Sequence, residues 1–398
     1  MRIATAQSFD AGIDRLQQRQ SELAHAQQQL TSGKRVERAS DDPSAAARAE
    51  RALAAIGRAD ADQRAIEASR AAMALAEGTL GEAGELLQQA REVLVAAGNP
   101  TYGDAERRGF AERLRGLRGQ LLSLANRGDG AGGWVFAGQG AAAPPFVDAP
   151  GGVAFAGVAG ALQAASSDSL PISVDGRAAW LTAPSGNGVF ETRAVPGSAS
   201  AWIDSGQVVD PAAITGSTYS LQFSVAAGVT RYSVLRDGAP TAAVDVPFVS
   251  GQAIQFEGMS VNVTGNPADG DGFEIAPSAP TLSVFDVLDR AANALATPAR
   301  TTAQVTQGNV AALRDLDASM LRVESIRAAA GETLNRIDSA ANRTDDAKLA
   351  AQTQRTAAED LDMVQAISDF QSRQTGYDAA LRAYSMVQRL SLFDYLRG

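Results

Sequence analysis

The sequence predicts an α+β chain in which both termini form a long helical bundle or coiled coil and a central, mainly β domain is inserted between them. Three observations predict it. From about Thr5 to Asn126 the residues are mostly Ala, Gln, Arg, Glu and Leu, all good helix formers. From about Gly128 to Pro280 the composition turns to Gly, Pro, Ser, Thr, Val and aromatics, and from about Leu282 the helix formers return. The outermost helical stretches also carry apolar seams at heptad spacing. With 398 residues, 45% of them hydrophobic and 20% charged, the chain is long enough for two or three domains with buried cores.

The first seam runs Phe9, Ile13, Leu16, Gln20, Leu23, Gln27 and Leu30, in alternating steps of four and three. Its counterpart near the other end is Met363, Ile367, Phe370, Gln374, Tyr377, Leu381, Tyr384, Gln388 and Ser391. Such spacing lines one face of a helix that packs along its whole length, and the glutamines favour one register at some cost in stability. Matched seams at opposite ends predict that the termini pair with each other. Burying so few apolar side chains does not offset the ordering of some sixty residues, so the terminal helices are expected to need neighbours.

Between the first two helices lies Thr31–Pro43. Gly33 suits the left-handed position just past a helix end. Lys34, Arg35 and Arg38 form a small basic patch in a loop where a partner can dock. Asp42 followed by Pro43 reads as a helix cap with proline at the first helical position. The pair Asp41 and Asp42 is therefore read as capping rather than catalytic, and Asp345–Asp346 is read the same way ahead of the last helix. These signals divide the chain into a terminal assembly domain (1–43 and 345–398), a helical rod (44–133 and 281–344) and a β-rich outer domain (134–280).

In the centre, Thr218–Val225 and Gln252–Phe256 alternate with period two, as half-buried strands do. Turn signals separate such segments at Asp237–Gly238, Glu257–Gly258 and Asp269–Gly272. All three tryptophans, Trp134, Trp180 and Trp202, fall here, which predicts a compact β domain with its own core.

Composition excludes much chemistry. There is no cysteine, which removes disulfides and thiolates, and one histidine, His25, which leaves neither an ordinary zinc site nor a histidine-based triad. The formal charge of −10 argues against a broad nucleic-acid-binding face. Gly128–Gly133 follows a helix rather than a strand, so it lacks the context of a phosphate loop. Asp269–Glu274 lacks the ligand spacing of a calcium-binding EF-hand. An enzyme housed in the centre finds no nucleophile–base pair and no metal set there, and no cofactor is expected. The first ten residues hold no apolar run of a secretory signal, and no stretch of eighteen apolar residues predicts a membrane span.

Several stretches resemble the bacterial flagellin family. They are the start Met1–Thr5, the segment Leu30–Pro43 and the ending Leu390–Leu396, supported by Trp134–Gly138, Asn266–Phe273 and Ser283–Val287. The resemblance implies paired terminal helices with a central domain projecting outward, and no catalytic activity. It further implies export through the flagellar channel without a cleaved signal, an extracellular destination, and termini that fold on assembly. Within the family, Pro43 after the aspartates and Phe393-Asp394-Tyr395 near the end favour an adaptor between hook and filament over a bulk filament subunit. The partners so implied are the preceding hook-associated protein, flagellin, neighbouring copies in a helical array, and an export chaperone on the segment Met363 to Ser391.

Overall fold

The computed structural model describes residues 2–396, with side chains placed over residues 10–386. Phe9, Gln388 and Ser391 of the expected seams lie outside the described side chains. Two compact units form, one from Met1–Arg64 with Ala341–Gly398 and the other from Ala65–Ala340.

The chain opens with three helices, α1 (Arg2–Ser32), α2 (Pro43–Ala97) and α3 (Asp104–Ala125). A hairpin follows, β1 (Phe146–Ala149) with β2 (Gly152–Phe155), then the short helix α4 (Gly176–Trp180). Strands β3 (Phe190–Ala194), β4 (Ala201–Ile203) and β5 (Gln207–Val208) lead to the long pair β6 (Tyr219–Ala226) and β7 (Val229–Arg236). Next come β8 (Ala239–Pro240), β9 (Val246–Pro247), β10 (Ala253–Phe256), β11 (Met259–Gly265) and β12 (Gly272–Pro277). Three helices complete the chain: α5 (Val284–Ala296), α6 (Thr302–Glu359) and α7 (Met363–Leu396).

The unit of residues 65–340 holds two cores. In the first, Leu80, Leu87 and Leu94 recur every seven residues along α2 and are fully buried against Leu114, Leu117 and Leu121 of α3 and Leu316 and Val323 of α6. Helix α5 begins at Ser283, whose hydroxyl accepts a hydrogen bond from the Asp286 N–H at 3.3 Å, and it buries Phe285, Leu288 and Leu295 in the same core. Ion pairs fix α2 and α6 antiparallel: Arg70–Asp338 at 2.8 Å, Glu77–Arg327 at 2.7 Å and Arg91–Asp317 at 2.8 Å. Each step up one helix is matched by a step down the other.

The second core belongs to the strands. A six-stranded antiparallel sheet runs β3-β12-β6-β7-β8, with β9 also on β7; a four-stranded one runs β10-β11-β4, with β5 also on β11. The period-two pattern does its expected work on β6, where Tyr219, Leu221 and Phe223 turn inward and meet Phe273 and Ile275 of β12. Both central residues of the β7–β8 and β10–β11 turns have positive φ (Asp237 50° and Gly238 82°; Glu257 41° and Gly258 80°), the twist that two-residue hairpins require. At Gly258 a Cβ would also come within 2.2 Å of the Asp210 carbonyl, so no other residue fits.

Two expectations need correction. Trp180 does not join the strand core. It lies 1% exposed in the helical core, edge-on to Phe136 at 5.3 Å and stacked on Phe285 at 6.0 Å. Its segment forms α4, not a strand, so composition placed it in the right region but on the wrong side. Asp345 and Asp346 do not precede the last helix; they lie inside α6, which runs uninterrupted to Glu359. Nothing near them ends a helix, and the residue that caps α7 is Asp362.

Candidate functional site

In the unit formed by the two ends of the chain, the predicted loop and the predicted seams come together. Helix α1 ends at Gly33, with φ of 71° and its N–H bonded to the Gln29 carbonyl at 2.8 Å. The loop then folds on itself. Asp41 accepts from the N–H groups of Glu37 (3.1 Å) and Arg38 (2.9 Å). Asp42 caps α2 through Oδ1, which accepts from the N–H of Ser44 (3.1 Å) and of Ala45 (3.0 Å) and from the Ser44 hydroxyl (2.8 Å). The Ala45 N–H above all, then the Ser44 hydroxyl and Arg35, hold the Asp42 carboxyl down to about 2. The Arg38 N–H does the same for Asp41 in direction.

Lys34 reaches toward the end of α6, and Arg35 bridges that end and the cap. Lys34 pairs with Asp360 as an antiparallel β-bridge. The Arg35 N–H donates to the Glu359 carbonyl at 2.7 Å, and the Leu361 N–H donates to the Gly33 carbonyl at 3.0 Å. The Arg35 guanidinium divides itself between the Ala358 carbonyl (3.0 Å) and Asp42 (3.2 Å). The Lys34 ammonium sits 2.9 Å from Glu359 and, with Arg355 adding to it, keeps that carboxyl below its usual range. Helix α7 then starts at Asp362, whose carboxylate accepts from the N–H groups of Val364 (3.0 Å) and Gln365 (3.2 Å). Arg38 and His25 are exposed, and Pro43 opens α2.

Beyond this junction α1 packs against α7. One half of each seam is partly buried: Leu16, Leu23 and Leu30 on α1, and Phe370, Tyr377 and Tyr384 on α7, each set seven apart. The other half is exposed: Ile13, Gln20 and Gln27, with Ile367, Gln374 and Leu381; Met363, in register with Phe370, is exposed as well. Ile13 and Leu381 each stay 41% exposed and Ile367 46%, values that a closed two-helix seam would not leave. Sequence reasoning missed Arg19, whose guanidinium donates to the Gly376 carbonyl at 3.0 Å across the pair. It also missed the roles of Ala358, Glu359, Leu361 and Asp362. Gly376, a glycine inside an otherwise strong helix, was the one available signal.

The arrangement holds and aligns helices. Among the described residues no cluster of three His, Asp or Glu side chains is placed to hold a metal, and no helix is long and apolar enough to cross a membrane. In the other unit, the near-buried Arg314 lies 2.9 Å from Asp315 and 3.6 Å from Glu191, and the two acids are also paired with Arg290 at 3.2 Å and Arg193 at 3.0 Å, respectively.

Comparison with known proteins defines the class. The bacterial flagellin N-terminal helical region matches residues 3–141 and the flagellin C-terminal helical region matches residues 313–396. The chain belongs to the flagellin family. Within it, the flagellar hook-associated protein 3 of Escherichia coli K12 is 26% identical over 99% of both chains. The protein of the same name from Salmonella typhimurium is 36% identical over 38% of this chain and 48% of its own. Two solved structures from Legionella pneumophila, each 26% identical, share the fold. One is a flagellar hook-associated protein-3 (TM-score 0.72, covering 76% of this chain and 97% of that one) and the other a flagellar junction protein (TM-score 0.65, covering 70% and 95%).

Proposed function

We propose that this chain is a structural adaptor of the bacterial flagellum that joins the hook to the flagellin filament, and that it catalyses no reaction. The observation that carries this reading is the half-open seam on α1 and α7. It presents Ile13, Ile367 and Leu381 to the outside, on helices whose family builds helical arrays, in a chain similar from end to end to hook-associated protein 3. The exposed half of the seam is the surface that neighbouring copies cover, in a head-to-tail contact that does not close on itself. The preceding hook-associated protein meets one side of the array, and flagellin the other. An export chaperone holds the α7 seam from Met363 onward before the chain is exported through the flagellar channel. The three-part division into terminal domain, rod and outer domain belongs to the same proposal.

The test is immunogold labelling of intact flagella with antibody to residues 134–280. A narrow band between hook and filament is the expected result. Label along the whole filament would make the protein a flagellin instead, and its absence from the flagellum would overturn the reading.

A further inference from the structure

Where the chain turns from α5 into α6, several polar groups converge. The Arg300 guanidinium donates to the carbonyls of Ala294 (3.1 Å) and Gln304 (2.7 Å). The Ala299 N–H donates to Asp104 of α3 at 3.1 Å. Arg107, one turn further along α3, donates to the Tyr102 carbonyl at 2.7 Å and pairs with Asp104, and its side chain is only 12% exposed. Two buried polar atoms here meet no protein partner: the Arg107 Nε–H, a donor, and Asn309 Oδ1 of α6, an acceptor. Both residues line one cavity of about 10 Å³, and Arg300 lines it with them; Leu94, Leu295 and Val305 belong to its apolar wall. The Asn309 Nδ2 lies toward Gly98, where a Cβ would come within 2.5 Å of it, and Oδ1 is on the other side of the amide. A bare buried donor and a bare buried acceptor each carry the full penalty of desolvation. Native structures pair such groups, through ordered water where no protein atom reaches.

We propose that this cavity binds one water molecule, which accepts from the Arg107 Nε–H and donates to Asn309 Oδ1, bridging α3 to α6 beside the α5–α6 turn. The volume is that of a single water and leaves no room for an organic solute. Chemistry separates water from small ions. A cation would face two guanidiniums, Arg107 and Arg300, the second held below its usual pKa by burial and then by Arg107 itself. A chloride would satisfy the Arg107 donor but set its charge against Asn309 Oδ1. Only a species that both accepts and donates serves both atoms. Arg300 has N–H groups beyond the two it spends on carbonyls, and one of them supplies the third bond that a buried water usually makes. The site lies beside the place where Thr301 reaches the strands, its hydroxyl donating to the Ala199 carbonyl at 2.6 Å. The water therefore helps to hold the turn from which that contact is made.

The test is a crystal structure of the full chain at a resolution that shows ordered solvent, with a double-mutant cycle in solution beside it. The expected result is a single peak at hydrogen-bonding distance from both Arg107 Nε and Asn309 Oδ1 that bromide does not replace. A cavity without density, a bromide peak in soaked crystals, or direct contact between the two atoms would each overturn the proposal. In urea titrations of the full chain, Asn309→Leu removes the acceptor and Arg107→Met the donor, and each strands the other atom. The two changes together strand neither. The double variant is therefore expected to be more stable than the single effects add up to, by on the order of tenfold in the unfolding equilibrium constant. Arg107→Met also gives up the pair with Asp104, a cost common to the single and double variants that cancels in the cycle. Strict additivity of the two changes would remove the bridge.

Discussion

The two units of this chain bury different things. In residues 65–340 the fully buried side chains include alanines but also many large ones: Trp180, Phe136, Phe146, Phe285, Tyr219 and a run of leucines. In the unit made from the two ends, the buried hydrophobic residues among those described are Ala26, Ala45, Ala49, Ala52, Ala59, Ala351 and Ala358, with Val36 the one larger exception. Alanine is the best helix former but removes little apolar surface from water. The first unit thus carries its own stability. The second is held by hydrogen bonds, ion pairs such as Lys348–Asp60 at 2.7 Å, and a seam left half open. A helix can be strongly specified while its packing is deferred to another molecule.

The contrast can be broken or sharpened by mutation. The largest effect is expected in the helical core, where Phe285→Ala should cost about 3–5 kcal/mol in a urea titration of the monomer. A loss under about 1 kcal/mol would show that the two units differ less than their burial implies. Next, Leu381→Lys should abolish incorporation into flagella while leaving the urea transition of residues 65–340 in place. Motile cells with normal filaments would remove the seam from the account. Hydrogen exchange in a verified monomer should be fast over residues 10–30 and 363–386 and slow in the strands and in α5, and strong protection throughout α1 and α7 would contradict folding on assembly.

The smallest effect concerns Asp42. Its folded pKa of about 2 lies below the ordinary 3.8, so the carboxylate's contribution to the cap is complete above that ordinary value and is lost as pH falls through about 2. An NMR titration of the Asp42 side chain should show this low midpoint, and Ser44→Ala should raise it. A midpoint at 3.8 in the parent chain would mean the cap is not formed in solution.

What could be read from the sequence was local or periodic. The cap at Asp42–Pro43, the turn glycines and the alternation on β6 each depend on residues within a few positions. The seams were legible as faces of α1 and α7, but periodicity cannot say that Leu16, Leu23 and Leu30 lie partly buried while Ile13, Gln20 and Gln27 remain exposed. That division depends on which partner is present. Arg35 on Ala358 and Arg19 on Gly376 join residues more than three hundred positions apart, and neither leaves a trace in local composition. Asp345–Asp346 misled because two adjacent acids look like a cap wherever they stand. Only the chain's continued helix, free of glycine and proline around them, argues otherwise. Trp180 misled because a tryptophan in strand-rich sequence says nothing of which core it enters.

The pairing of α1 with α7 also sets a clock. No part of α7 exists until about 330 residues after α1 has been made, and at roughly 5–20 residues per second that interval is on the order of 20–60 s. Throughout synthesis the first helix has no intramolecular partner, while residues 65–340 can complete both of their cores as they emerge. The segment that closes α1 is made well after both of those cores, so α1 remains available to other molecules for longer than they do.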